Sequence, residues 1–128
     1  MGLASVVKEL RRIVGAESVL DRGEDLMLYE YDAGLSTGTP GAVVFPETTE
    51  HVSLIAKLAS RTGISIVPRG AGTGLSGGSI SRDGGIVLVF SRMNKVLEID
   101  LENQRAVVQP GVVNLELSNQ LAGQRLYF

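Results

Sequence analysis

The residues of this chain best placed to do chemistry form one run, Val67-Pro68-Arg69-Gly70-Ala71-Gly72-Thr73-Gly74-Leu75-Ser76-Gly77-Gly78-Ser79, with five glycines in the nine positions from Gly70 to Gly78. The run follows an apolar, β-branched stretch. Glycine gives up more conformational freedom on folding than any other residue, so this density needs a reason in positive φ angles or close backbone approach. Phosphate binding supplies one. With no side chains in the way, successive N–H groups can turn toward one anion, each charge-assisted hydrogen bond contributing roughly 1.5–3 kcal/mol.

Three phosphate-loop readings compete, and the flanks separate them. Gly72-Thr73-Gly74-Leu75-Ser76-Gly77 fits G-x-G-x-x-G, but a Rossmann loop must open a helix after a strand. The residues that follow, Gly78-Ser79-Ile80-Ser81-Arg82-Asp83-Gly84-Gly85, are too glycine-rich for a helix. A Walker loop needs Gly-Lys before Ser or Thr, and no lysine lies between Lys57 and Lys95. A loop that binds diphosphate through amides alone remains, against the plain alternative of a glycine-rich surface loop with no ligand.

With these residues in view, Pro68-Arg69-Gly70-Ala71-Gly72-Thr73-Gly74-Leu75-Ser76-Gly77-Gly78 resembles the pyrophosphate loop of FAD-linked oxidases of the vanillyl-alcohol oxidase and p-cresol methylhydroxylase superfamily. Within it, the likeness is to glycolate oxidase flavin subunits and D-lactate dehydrogenases. Tyr29-Glu30-Tyr31-Asp32, Val44-Phe45-Pro46, Ile99-Asp100-Leu101-Glu102-Asn103 and Gln109-Pro110-Gly111-Val112 match in order and spacing.

The resemblance implies an α/β (α+β) fold: a small parallel βαβ core plus a β-hairpin, flanked by helices, as the first subdomain of a PCMH-type FAD-binding domain. It implies FAD contacts at the amides of Arg69, Gly70, Ala71, Gly72 and Thr73 and at Gly77, Gly78 and Ser79, with Pro68 and Gly74 in the same loop. Pro110, Gly111 and Val112 are second-rank candidates near the same cofactor. The Arg69 guanidinium either approaches a phosphate or makes a structural salt bridge. Some relatives tether flavin through a His or Cys near the loop; this loop has neither, so the expected FAD is held non-covalently.

By the same resemblance, residues 1–39 are a helical leading segment and residues 40–128 the first part of the FAD-binding domain, cut before a second subdomain and a substrate domain. The implied parent reaction oxidises a small 2-hydroxy acid such as glycolate or D-lactate, with hydride passing from the α-carbon to flavin N5. The catalytic groups are then outside this chain, which is expected to lack turnover, to bind FAD weakly and to self-associate. Two alternatives stand beside this: a non-catalytic binding or assembly module, and an FAD-dependent reductase of the same superfamily.

Composition narrows the classes of function. A chain of 128 residues is one domain's worth, able to bury roughly two-thirds of its unfolded surface. It is 44% apolar with a net charge of −2, which argues against binding nucleic acid or anionic membrane through bulk electrostatics. The absence of cysteine removes disulfides, thiol catalysis and thiolate metal sites. Lys8, Glu9, Arg11 and Arg12 interrupt the N-terminal apolar residues, so no export signal is read and a cytoplasmic location is expected, with membrane association through partner subunits as the alternative. His51 reads as a solvated residue in the first turn of a helix, and neither a metal cluster nor an acid/base pair stands out.

The elements around the loop follow from periodicity. Leu3, Val6, Val7, Leu10, Ile13 and Val14 recur at helical spacing up to Gly15. Val19-Leu20 reads as a short strand, Asp25–Tyr29 as a helical turn and Gly34–Gly41 as a loop. Ala42–Phe45 is a buried strand. Thr48 or Thr49 caps a helix with an inner stripe of Val52, Ile55, Ala56 and Ala59, ended by Gly63. Ile64–Val67 is the second strand, parallel to the first, and Ile86–Phe90 the third. Val96–Asp100 and Arg105–Gln109 flank a hairpin turn at Glu102-Asn103-Gln104. A last helix starts near Asn114 with Leu115, Leu117, Leu121 and Ala122 apolar, and Arg125–Phe128 begins another strand.

Overall fold

The computed structural model describes all residues, Met1–Phe128. The elements run α1 (Leu3–Val14), β1 (Val19–Leu20), α2 (Gly23–Leu26), β2 (Ala42–Val44), α3 (Thr49–Thr62), β3 (Ile66–Arg69), β4 (Ile86–Val89), β5 (Val96–Asp100), β6 (Arg105–Val108) and α4 (Asn114–Leu121). Short 3-10 turns extend several of their ends.

One sheet has the order β1-β2-β4-β3, with β1 antiparallel to β2 and the other three strands parallel. Side chains alternate along each strand, so the sheet sorts its apolar residues onto two faces. Ala42, Val44, Ile86 and Leu88 join Val6, Val7 and Leu10 of α1 and Ile55 and Leu58 of α3 in one core. Val43, Val87 and Val89 point the other way, where Leu26, Tyr29, Phe45 and Val67 pack on them. Covering both faces is what a parallel sheet requires. An Arg61–Glu9 ion pair at 2.7 Å ties α3 to α1 on the surface.

Helix limits follow local chemistry. Gly15, at φ +94°, stops α1; Thr48 caps α3 by accepting the His51 amide, and Gly63 closes α3 in the left-handed region at φ +72°. The inner stripe of α3 is Ile55, Leu58 and Ala59, with Val52 half-buried and Ala56 exposed, a correction to the stripe read from sequence.

Two further expectations are corrected. The second strand begins at Ile66 rather than Ile64 and continues through Pro68 and Arg69, so these two residues are strand, not loop. Proline is accommodated because β3 is the edge strand. The strands on either side of α3 run parallel, as read, with β4 lying between them. Finally, Arg125–Phe128 forms no strand; the Phe128 amide donates to Ser118 Oγ at 3.1 Å, and the Tyr127 and Phe128 rings are exposed.

The second sheet is the hairpin β5–β6, with a bulge between Val96 and Glu98. Its turn is held by Asp100, which accepts from the amide and side chain of Asn103 (3.0 and 2.8 Å) and from Arg105, and Gln104 takes the left-handed position at φ +52°. Those bonds, the Asn103 side chain foremost, hold the Asp100 pKa below its ordinary value.

Candidate functional site

β3 and β4 are adjacent and parallel, yet residues 70–85 join them without a helix. A parallel connection must travel the length of the sheet, and here the glycine run does so. The result is an open concavity lined by residues 70–74, Ser76, Gly78, Ser79 and Asp32.

Its walls are donor-rich. Across residues 70–79 only the Gly77 amide donates a hydrogen bond within the chain, to Asp32 Oδ2 at 3.1 Å. The amides of Gly70 to Ser76, Gly78 and Ser79 keep their hydrogens for another partner. Buried beside them, Arg69 Nη1 and Ser79 Oγ have no hydrogen-bond partner. A buried donor left unpaired costs about 1–3 kcal/mol, so Ser79 Oγ among the lining residues and Arg69 Nη1 beneath Gly72 mark a place suited to an acceptor.

Arg69 is 8% exposed. It makes no ion pair, which removes the structural salt bridge from its two sequence readings. Its guanidinium carbon instead lies 5.6 Å from the Tyr29 ring centroid, and Tyr29 meets Phe45 edge-on at 6.0 Å. This stack holds the cation without neutralising it. Gly72 turns over the guanidinium at φ +71°, where any Cβ would collide with it.

Asp32 fixes the loop from the other side. It is 7% exposed, and its Oδ1 accepts the Gly34 amide at 2.7 Å while Oδ2 takes that of Gly77. Ala33 N–H donates to Gly74 O at 3.1 Å, and a Cβ on Gly34 would lie 2.8 Å from Leu75 O, so the two loops touch along their backbones.

The candidate residues read from the sequence therefore divide. Gly70, Ala71, Gly72, Thr73, Gly74, Gly78 and Ser79 converge on the concavity. Gly77 shapes it, but its amide is committed to Asp32 and is withdrawn as a free donor. Pro68 has no N–H and sits in β3, so it positions Arg69 rather than donating. Pro110, Gly111 and Val112 do not line the concavity; the Gly111 amide bonds Met93 O at 2.8 Å, just past the carboxyl end of β4. His51 is tied up at the α3 terminus, its Nδ1 accepting the Glu47 amide at 3.3 Å.

Sequence reasoning missed Asp32 and Tyr29 as site residues. Asp32-Ala33-Gly34 carries a local signal, since an Asp accepting the amide two residues on is an Asx-turn. Tyr29 carries none. A second concavity, between the hairpin and α4, is lined mainly by apolar residues such as Ile99, Leu101, Leu117 and Phe128. Its arginine, Arg105, is already paired with Asp100, so it lacks the free donors a phosphate needs.

The family described as FAD binding domain matches residues 40–128. The glycolate oxidase subunit GlcD of Bacillus subtilis (strain 168) is 39% identical over 124 residues, covering 96% of this chain and 26% of that protein. D-2-hydroxyglutarate dehydrogenase of Stutzerimonas stutzeri (strain A1501) is 33% identical over 125 residues, covering 97% and 27%. The crystal structure of p-cresol methylhydroxylase with substrate bound superposes with a TM-score of 0.80 at 25% identity, over 96% of this chain and 25% of that one. The chain thus spans about a quarter of the length of the curated relatives it matches.

Proposed function

The chain belongs to the FAD binding domain family, and from that premise we propose that its glycine loop seats the FAD diphosphate in an oxidoreductase acting on small 2-hydroxy acids. The observation that carries the reading is the pairing of free loop amides with an unpartnered buried Arg69. Free donors on the residues lining one concavity, with a buried cation behind Gly72, suit a diphosphate bridge.

In this reading the amides of Gly70–Gly74, Gly78 and Ser79 bind phosphate oxygens, Ser79 Oγ adds a hydroxyl donor, and Arg69 supplies the charge. Asp32 and Gly77 hold the loop open. Pro110, Gly111 and Val112 stand near the same cofactor, beyond the carboxyl end of β4. FAD, when bound, supplies a hydride acceptor, and this chain binds and orients it. The absence of cysteine and the engagement of His51 favour non-covalent retention. The 2-hydroxy acid assignment leans on relatives named for glycolate and D-2-hydroxyglutarate. Residues 1–39 lead into the domain and residues 40–128 form its first part.

Leu97, Val107, Leu115, Tyr127 and Phe128 are exposed on and beside the hairpin and α4. This apolar face favours association with itself or with partner subunits.

The full-length gene product tests the reading. It is expected to purify yellow and to bleach anaerobically on addition of glycolate or D-lactate. A colourless protein indifferent to added FAD would overturn it.

A further inference from the structure

We infer that Asp32 sets which phosphates the glycine cradle accepts, favouring a diphosphate esterified at both ends over a terminal phosphate. The inference rests on the diphosphate reading of the loop and adds a selectivity that the free amides alone do not give.

Asp32 does two jobs through one carboxylate. It is buried, and it accepts one amide on each oxygen: Gly34 at 2.7 Å and Gly77 at 3.1 Å. Two amides arriving at two oxygens call for two acceptors, which a carboxylate has and a carboxamide lacks. The clamp therefore fixes a negative charge in the wall of the concavity, among the residues lining it. Asp32 and Arg69 make no ion pair, and both oxygens of the carboxylate are taken by amides instead.

A ligand entering the concavity meets Asp32 among its lining residues, with the buried Arg69 guanidinium beneath Gly72. A phosphate diesterified within a dinucleotide carries one negative charge, whereas a terminal phosphate carries about 1.5 to 2 near neutral pH. Arg69 and the amides attract the first charge, and Asp32 penalises the additional one, in a buried setting where salt screens less than at the surface. Nucleoside diphosphates and inorganic pyrophosphate are thereby disfavoured relative to dinucleotides. The positive elements decide that an anion binds; Asp32 decides which class.

ADP-ribose and ADP are suitable probes, since they share the adenosine diphosphate and differ in whether its far end is esterified. Titrated in metal-free, low-salt buffer, the wild-type chain is expected to prefer ADP-ribose by about tenfold, the scale of one like-charge contact at intermediate dielectric. Asp32→Asn is expected to remove most of that preference, and Asp32→Glu, which keeps the charge, to retain it. A purely structural clamp predicts that both variants weaken both ligands with the ratio unchanged, and that result overturns the inference while leaving the cradle intact. If Asp32→Asn does not fold, the wild-type ratio decides: no preference, or a preference for ADP, overturns the inference. Failure of both ligands to bind the wild type would instead overturn the diphosphate reading beneath it.

Discussion

The Arg69 guanidinium stacks 5.6 Å from the centroid of the Tyr29 ring while its buried Nη1 finds no acceptor. Stability and binding are therefore set against each other at one residue. Replacing Arg69 by Met keeps the length and removes the unpaired cation, so Arg69→Met is expected to leave the denaturant midpoint of the ligand-free chain unchanged or higher. FAD affinity should fall at least tenfold, the equivalent of about 1.4 kcal/mol. Loss of stability with affinity preserved would make Arg69 a packing residue.

The loop glycines separate in the same way. Gly70, Gly74 and Gly78 have open space where a Cβ would go and no positive φ. Gly74→Ala should thus change stability by less than about 0.5 kcal/mol, yet weaken FAD by crowding the approach to the amides. Gly72→Ala meets both a positive φ and the Arg69 side chain, and should cost about 1–3 kcal/mol of stability. Urea unfolding of both variants, beside FAD titrations, checks the contrast.

Asp83 links the starts of β3 and β4. It accepts the Ser65 hydroxyl at 2.7 Å and that of Ser81 at 3.4 Å, while the Ser65 carbonyl takes the Ile86 amide. Its pKa is lowered from 3.8, the Ser65 bond contributing most and desolvation opposing it. A carboxylate depressed in the folded state stabilises above its unfolded pKa and loses that contribution as pH falls through the folded value. Below about pH 4, wild-type stability should drop more steeply than that of Asp83→Asn. Parallel curves from chemical unfolding at stepped pH would contradict this.

Thr48 accepts the His51 amide at 3.1 Å and starts α3, whose Ile55, Leu58 and Ala59 cover the sheet. Thr48→Ala is expected to cost about 1 kcal/mol, measurable by calorimetry as a lower melting temperature. No loss would mean that water or the preceding turn satisfies the first helical amides equally well.

What was legible in the sequence was local. The stripe Val6, Val7, Leu10 and the stops at Gly15 and Gly63 follow from helical period and glycine's access to positive φ, and they appear where read. Strand order was not legible, because nothing in the local period of Ile86–Val89 says that it inserts between β2 and β3. Pro68 looked like a loop residue since only an edge position accommodates it within a strand. The loop's donors were visible in its glycines. Its clamp was not: Asp32 and Gly77 are forty-five residues apart, and only the fold brings them to hydrogen-bond distance.

Amide chemical shifts of the isotopically labelled chain, followed as FAD is added, test the cradle most directly because they register weak binding residue by residue. The predicted result is that the largest changes fall on Gly70–Gly74, Gly78 and Ser79, with the Arg69 side-chain signals moving in step. Shifts confined to the apolar groove between the hairpin and α4, or none at any FAD concentration, would contradict a main-chain seat for the diphosphate.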